Sequence, residues 1–178
     1  ASLDASAGLD SMSVDLSALK ENLAPSLALY RDLLREPRFE QGEIDRVKAT
    51  WIAGIQQEKV NPGAVAMRVL PPLLYGKGHP YAIPFTGSGD EAAINGLTRE
   101  DLVDFHHDWL RPQNGTLIVV GDTTLAEIVP LLDKQLGDWK ATGEAPQVKA
   151  ATDVALPKGP RVFLIDQPGA VQANLFAG

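Results

Sequence analysis

The chain has 178 residues, no cysteine, and 16 Lys+Arg against 23 Asp+Glu, a formal charge of −7. With 44% hydrophobic and 22% charged residues it can bury a core and is not a disordered chain, while the acidic balance argues against nucleic acid and against an anionic membrane surface as partners. No apolar run approaches the roughly 20 residues that span a bilayer, and the lack of cysteine removes disulfides, thiolate catalysis and Cys-ligated metal together.

Residues 9–16 alternate apolar and polar side chains and predict a strand. Leu23, Leu27, Tyr30 and Leu34 recur at helical spacing within a helix predicted over 19–35, which Glu36-Pro37 ends. A second helix is expected from Gln41 to Lys59, with Ile44, Val47, Trp51 and Ile55 on one face, broken by Asn61-Pro62-Gly63. A third runs from Ala64 to Leu70 and stops at Pro71-Pro72 or soon after. Residues 75–89, rich in Gly and Pro, read as loop.

Thr98 and Asp101 form a capping-box variant that opens a helix through Leu102, Phe105 and Trp109. Leu117-Ile118-Val119-Val120 is a continuous apolar run between turn signals and predicts a buried strand. Thr124 and Glu127 cap a helix reaching about Leu136, with Pro130 expected to bend it or remove a hydrogen bond. Residues 141–160 lose all periodicity and read as a linker. Beyond it, 161–166 and 171–176 read as two strands joined by Gln167-Pro168-Gly169-Ala170. The chain opens on Ala1 and closes inside an expected strand, so it reads as a piece of a longer polypeptide. A sheet so truncated has an open edge, and residues 161–177 are expected to pair with it, in cis or by exchange between chains.

The three histidines, His79, His106 and His107, form no metal motif. Positions four beyond each are Ile83, Leu110 and Arg111, and adjacent helical histidines diverge by about 100°. His79, beside Pro80 and Tyr81, reads as a loop-shaping residue. Glu58 could serve as ligand or base, but beside Lys59 it reads better as a solvated residue. Asp101, Asp104 and Asp108 have the spacing of a solvent face. Gly87-Ser88-Gly89 lacks the Lys and strand of a phosphate loop and reads as a turn. On its residues alone the chain is an acidic α+β domain without a catalytic constellation.

The order of segments is more specific. Glu36-Pro37-Arg38-Phe39, the helix from Glu43 to Asn61-Pro62, Leu74-Tyr75-Gly76-Lys77-Gly78-His79-Pro80-Tyr81, Ile94 to Leu102, Arg111-Pro112 with Asn114, and Leu117 to Asp122 follow one another as in one family. In this order the chain resembles the pitrilysin/insulinase zinc metallopeptidases, including the bacterial relatives of mitochondrial processing peptidase, over nearly its whole length. The resemblance implies an α+β fold, an antiparallel sheet with helices packed on one face. It also implies a zinc site made by an inverted His-x-x-Glu-His helix and a downstream Glu, with a zinc-polarised water and the motif Glu as general base. That helix would precede Ala1. The third-ligand position, one residue before an apolar position and eight before Pro62, is Gly54, which has no side chain to offer. A shift of one turn would make Glu58 the ligand but spoil the match at Pro62. Gly54 itself invites a packing explanation.

The resemblance therefore implies an inactive-type domain with no catalytic, cofactor or metal residue of its own. Expected are a partial peptidase domain over 1–140, a linker over 141–160 and the first strands of a following domain over 161–178. Its role would be a non-catalytic chamber wall holding peptide substrates inside a zinc metalloendopeptidase. Zinc would sit elsewhere in the parent protein. Other domains, or a catalytic subunit of the same family, would be the partners, with a strand-swapped homodimer as a further expectation. An exported or periplasmic location follows from the family's bacterial members. Two alternatives are a non-enzymatic structural or assembly subunit and a truncated catalytic domain using Glu58.

Overall fold

The computed structural model of the chain describes residues 1–144, 151–155 and 157–177. They form an α+β fold of one two-stranded antiparallel sheet and six α-helices, divided into two compact units: residues 1–41 with 98–147, and residues 42–97 with 148–178.

The first unit opens with a hairpin. Strand β1 (Ser2–Ala7) pairs with β2 (Met12–Ser17), and the Gly8 amide donates to the Ser11 carbonyl at 2.8 Å across the turn. The register sets Ser2, Asp4 and Ser6 opposite Ser17, Asp15 and Ser13 on one face, and Leu3, Ala5 and Ala7 opposite Leu16, Val14 and Met12 on the other. Only 12–16 of the strand expected over 9–16 is strand. Residues 9–11 are the turn, and β1 carries small residues of weak strand preference that give no signal.

Helix α1 (Leu23–Arg35) follows a 3-10 turn at Lys20–Asn22 and packs Leu27, Tyr30 and Leu34 inward. The Tyr30 hydroxyl donates to the Val14 carbonyl at 3.1 Å and ties the helix to β2. Burial, and then the nearby Asp15 carboxylate, hold that phenol above its ordinary value. Helix α5 (Arg99–Trp109) has both halves of its capping box, as has α6 (Leu125–Leu136), which packs Ile128 inward. Pro130 stands inside α6, where it lacks the donor for the Ala126 carbonyl but leaves the helix continuous.

The second unit is built on α2 (Gln41–Val60), α3 (Pro62–Tyr75) and the short α4 (Glu91–Gly96). Ile55 and Pro71 are its fully buried side chains. The Asn61 side chain caps α3 by accepting from the Gly63 and Ala64 amides, with Pro62 pre-set for the first turn. α3 runs through Pro71-Pro72 and ends soon after, at Tyr75. Pro71 has no N–H for the Met67 carbonyl, but the Phe85 amide of the following loop donates to it at 3.0 Å. The helix survives because a loop replaces the missing donor.

Two further expectations fail for one shared reason. Residues 117–120 form no strand, and Val120 is 93% exposed. Residues 161–166 and 171–176 form no strands either, although Ala170 donates to Gln167 at 3.1 Å in the turn between them. The sheet is β1–β2 alone, so 161–177 do not pair with it. All three segments have strand composition, and strand pairing needs a neighbour that their own sequence cannot supply. Along 161–166 the alternation survives: Phe163 and Ile165 are half-buried, while Val162 and Leu164 point to solvent, Leu164 being 94% exposed. Of the linker expected over 141–160, residues 145–150 and 156 lie outside the described residues, and the rest holds no helix or strand.

Loss of a capping hydroxyl should be felt directly. Thr124→Ala removes the side-chain acceptor of the Glu127 amide and is expected to destabilise the first unit by about 1 kcal/mol, read as a lower urea midpoint at unchanged slope.

Candidate functional site

Gly54 lies on the exposed side of α2, and a Cβ built there meets nothing within 4 Å. No close approach requires glycine at this position, so the packing explanation finds no support. Glu58 stands one turn further on and is engaged in another way. Its Oε2 accepts from Arg68 Nη1 at 2.7 Å, Ser88 Oγ at 2.7 Å and Thr86 Oγ1 at 3.2 Å. Arg68 also donates to Ser88 Oγ and to the Gly89 carbonyl, both at 2.6 Å. Trp51 Nε1 donates to the Ser88 carbonyl at 2.9 Å, and the Ser88 side chain is buried.

This network bears on two of the sequence expectations. Glu58 is not a solvated neighbour of Lys59, which instead pairs with Glu91 at 2.9 Å. Gly87 closes a turn by donating to the Pro84 carbonyl at 2.9 Å, and Gly87 and Gly89 both lie in the left-handed region at φ +73° and +67°, where a side chain would strain the backbone. Ser88 is the buried centre of a partly exposed cluster, and Arg68 and Thr86, which no sequence motif marks, complete it. Burial pushes the Glu58 carboxyl upward, but the hydrogen bonds from Ser88, Arg68 and Thr86 outweigh it and hold the group below its ordinary 4.5.

The histidines do not converge. His106 Nε2 donates to the Leu34 carbonyl at 2.8 Å, with the Phe39 ring edge-on at 5.8 Å. His107 contacts Thr142 Oγ1 at 3.1 Å and Asp108 at 3.2 Å. His79 belongs to the second unit and, as expected, orders its loop: Nδ1 accepts from the Tyr81 amide and Nε2 meets the Thr152 carbonyl, each at 3.1 Å. Asp101 is drawn into its capping box, and Asp108 lies beside His107 and Arg111. Among the described residues no three His, Asp or Glu side chains gather as a metal-binding group. Among the described residues nothing matches the zinc that the resemblance implies: Gly54, at the position expected for a ligand, has no side chain, and the Glu58 carboxylate is taken up by three donors.

Gly54→Ala should stabilise α2 by about 0.5–1 kcal/mol, seen as a raised urea midpoint, since the methyl group enters open space. Glu58→Gln should loosen residues 84–90, seen as faster amide exchange at Phe85 and Gly87. Because the folded value of Glu58 lies below the unfolded one, its contribution is full above about pH 4.5 and is lost as pH falls through the lower folded value. The difference between wild type and variant is thus expected at neutral pH and should vanish in acid.

The family profile described as the peptidase M16 inactive domain matches residues 96–178. The "Probable zinc protease PqqL" of Haemophilus influenzae is 34% identical over 77 residues, 39% of this chain and 8% of that protein. The crystal structure of a peptidase M16 inactive domain from Pseudomonas fluorescens superposes with a TM-score of 0.72 at 26% identity, covering 85% of this chain and 36% of that one. The first half of the periplasmic protease PqqL from Escherichia coli has the same fold, at TM-score 0.65 and 20% identity over 83% of this chain and 31% of that one. The chain spans about a third of the solved relative it matches at 26% identity, and under a tenth of the Haemophilus protein. On these grounds the chain is similar to peptidase M16 inactive domains, in sequence over residues 96–178 and in fold over most of its length.

Proposed function

We propose that this chain is a non-catalytic wall of a peptidase chamber, holding peptide substrates while zinc chemistry is carried out by another domain or subunit. The observation that carries the reading is Gly54: the position of the third zinc ligand has no side chain, and nothing packs against it to explain the glycine otherwise. The inactive-domain match over 96–178 and the zinc-protease relative support the same reading. Zinc and the His-x-x-Glu-His helix then belong to the parent protein, and an exported or periplasmic location follows from relatives such as the Escherichia coli periplasmic protease. Among the described residues no helix is long and apolar enough to cross a membrane.

The exposed apolar segments fit this role. Residues 117–120 and 161–176 have strand composition and large exposed surface, as expected of pieces that complete sheets with neighbouring domains of the same family. We assign 1–140 to one peptidase-like domain, 141–160 to a linker and 161–178 to the opening strands of the next. A strand-exchanged homodimer would use the same segments, and sedimentation of the isolated chain distinguishes it from a monomer.

Purified chain, chelated and then reloaded with zinc, is expected to retain far less than one zinc per molecule, and Gly54→Ala should leave that value unchanged. One tightly held zinc per chain would overturn the reading and make Glu58, His79, His106 and His107 the residues to mutate.

A further inference from the structure

We infer that Arg99 is a clamp that holds the corner at residues 36–40 in a strained state, and that the corner relaxes when the guanidinium lets go. The corner follows α1 and lies in the first unit, as does Arg99. Phe39, within it, has φ +47°, and among the described residues it is the one residue other than glycine in the left-handed region. In that region the Cβ crowds the following carbonyl oxygen, so Gly, and at times Asn or Asp, are its usual occupants. A phenylalanine persists there only where its surroundings over-determine it.

Three contacts do so. Arg99 Nη2 donates to the Arg38 carbonyl at 3.3 Å, and its Nε donates to the Phe39 carbonyl at 3.0 Å. The half-buried Phe39 ring meets the His106 ring edge-on, with centroids 5.8 Å apart and planes at 74°. His106 is itself fixed to the end of α1 through the Leu34 carbonyl at 2.8 Å. The two carbonyls held by Arg99 lie on either side of the Phe39 Cα. Each belongs to a planar peptide unit, one oriented by φ of Phe39 and the other by its ψ. One rigid, planar fork on both therefore fixes the two soft dihedrals together. Turning φ to a negative value rotates the Arg38 carbonyl away from the fork, so the strained backbone and the two-point contact stand or fall together. The place of Arg99 in its own helix agrees. It is the first residue of α5, directly after the Thr98 cap, where a cation opposes the helix dipole. Its two bonds to the corner are charge-assisted and so stronger than neutral ones. The other ion pair of the corner, Arg38 with Glu40 at 3.7 Å, is exposed and holds little. A lysine would keep the charge of Arg99 but has no fork to span two carbonyls.

The test is solution NMR of the full isotopically labelled chain. The one-bond Hα–Cα coupling and the Cβ shift of residue 39 tell a positive φ from a negative one. The wild type is expected to show the positive-φ signature. Arg99→Gln, which removes charge and fork, and Arg99→Lys, which removes the fork alone, are each expected to lose it and to shift residue 39 to a negative φ. The Asp101 amide, held by the Thr98 hydroxyl, serves as the control that α5 and its capping box stay folded in both variants. The proposal is overturned if residue 39 has a negative φ in the wild type, or if it keeps the positive-φ signature in either variant.

Discussion

An α-helix leaves its last four carbonyls without an intrahelical donor, carrying the negative end of the helix dipole. In this chain each of the six helices has one of those carbonyls taken by a side chain from outside the helix. Leu34 of α1 is taken by His106, Val60 of α2 by Gln167, and Leu73 of α3 by Arg161. Asn95 of α4 is taken by Lys48, Asp108 of α5 by Arg111 and Gln135 of α6 by Arg35. Five of the six donors are Lys, Arg or His, the side chains that complement the dipole. Few apolar side chains are fully buried in either unit, so these contacts supply much of the direction with which the helices meet their neighbours. The Met67 carbonyl, orphaned in mid-helix by Pro71, follows the same rule through Phe85.

The loop between α3 and α4 shows what that economy achieves. It is fastened at one end by the Phe85 amide on Met67 and along its length by Arg68, Ser88, Thr86 and Glu58. A largely buried Arg–Glu pair is costly unless further hydrogen bonds satisfy it, and here every polar neighbour contributes one. The Glu58 carboxylate is thereby used for structure, holding the loop through Arg68, Thr86 and Ser88.

The surface tells the other half. Apolar runs such as Leu117–Val120 and Val162–Ile165 stand partly or wholly in solvent, and exposed apolar area of this kind marks interfaces. The chain matches an inactive-domain profile over residues 96–178 and spans about a third of the solved relative's length.

Local chemistry was legible in the residues. The breaks at Glu36-Pro37 and Asn61-Pro62, the capping boxes at Thr98 and Thr124, and the helical faces of Leu27, Tyr30 and Leu34 depend on contacts within a few positions. The family resemblance and the glycine at position 54 were legible for the same reason, being matters of order and identity along the chain. Anything requiring a partner distant in sequence was not. The continuation of α3 through two prolines depended on Phe85, the strand β1 on its pairing with β2, and the role of Glu58 on Ser88, 30 residues away. Conversely, Leu117–Val120 and Val162–Ile165 had the composition of strands and lacked the neighbour that makes one. A sequence fixes what each residue is able to offer; only the tertiary structure decides which donors, acceptors and apolar faces are within reach.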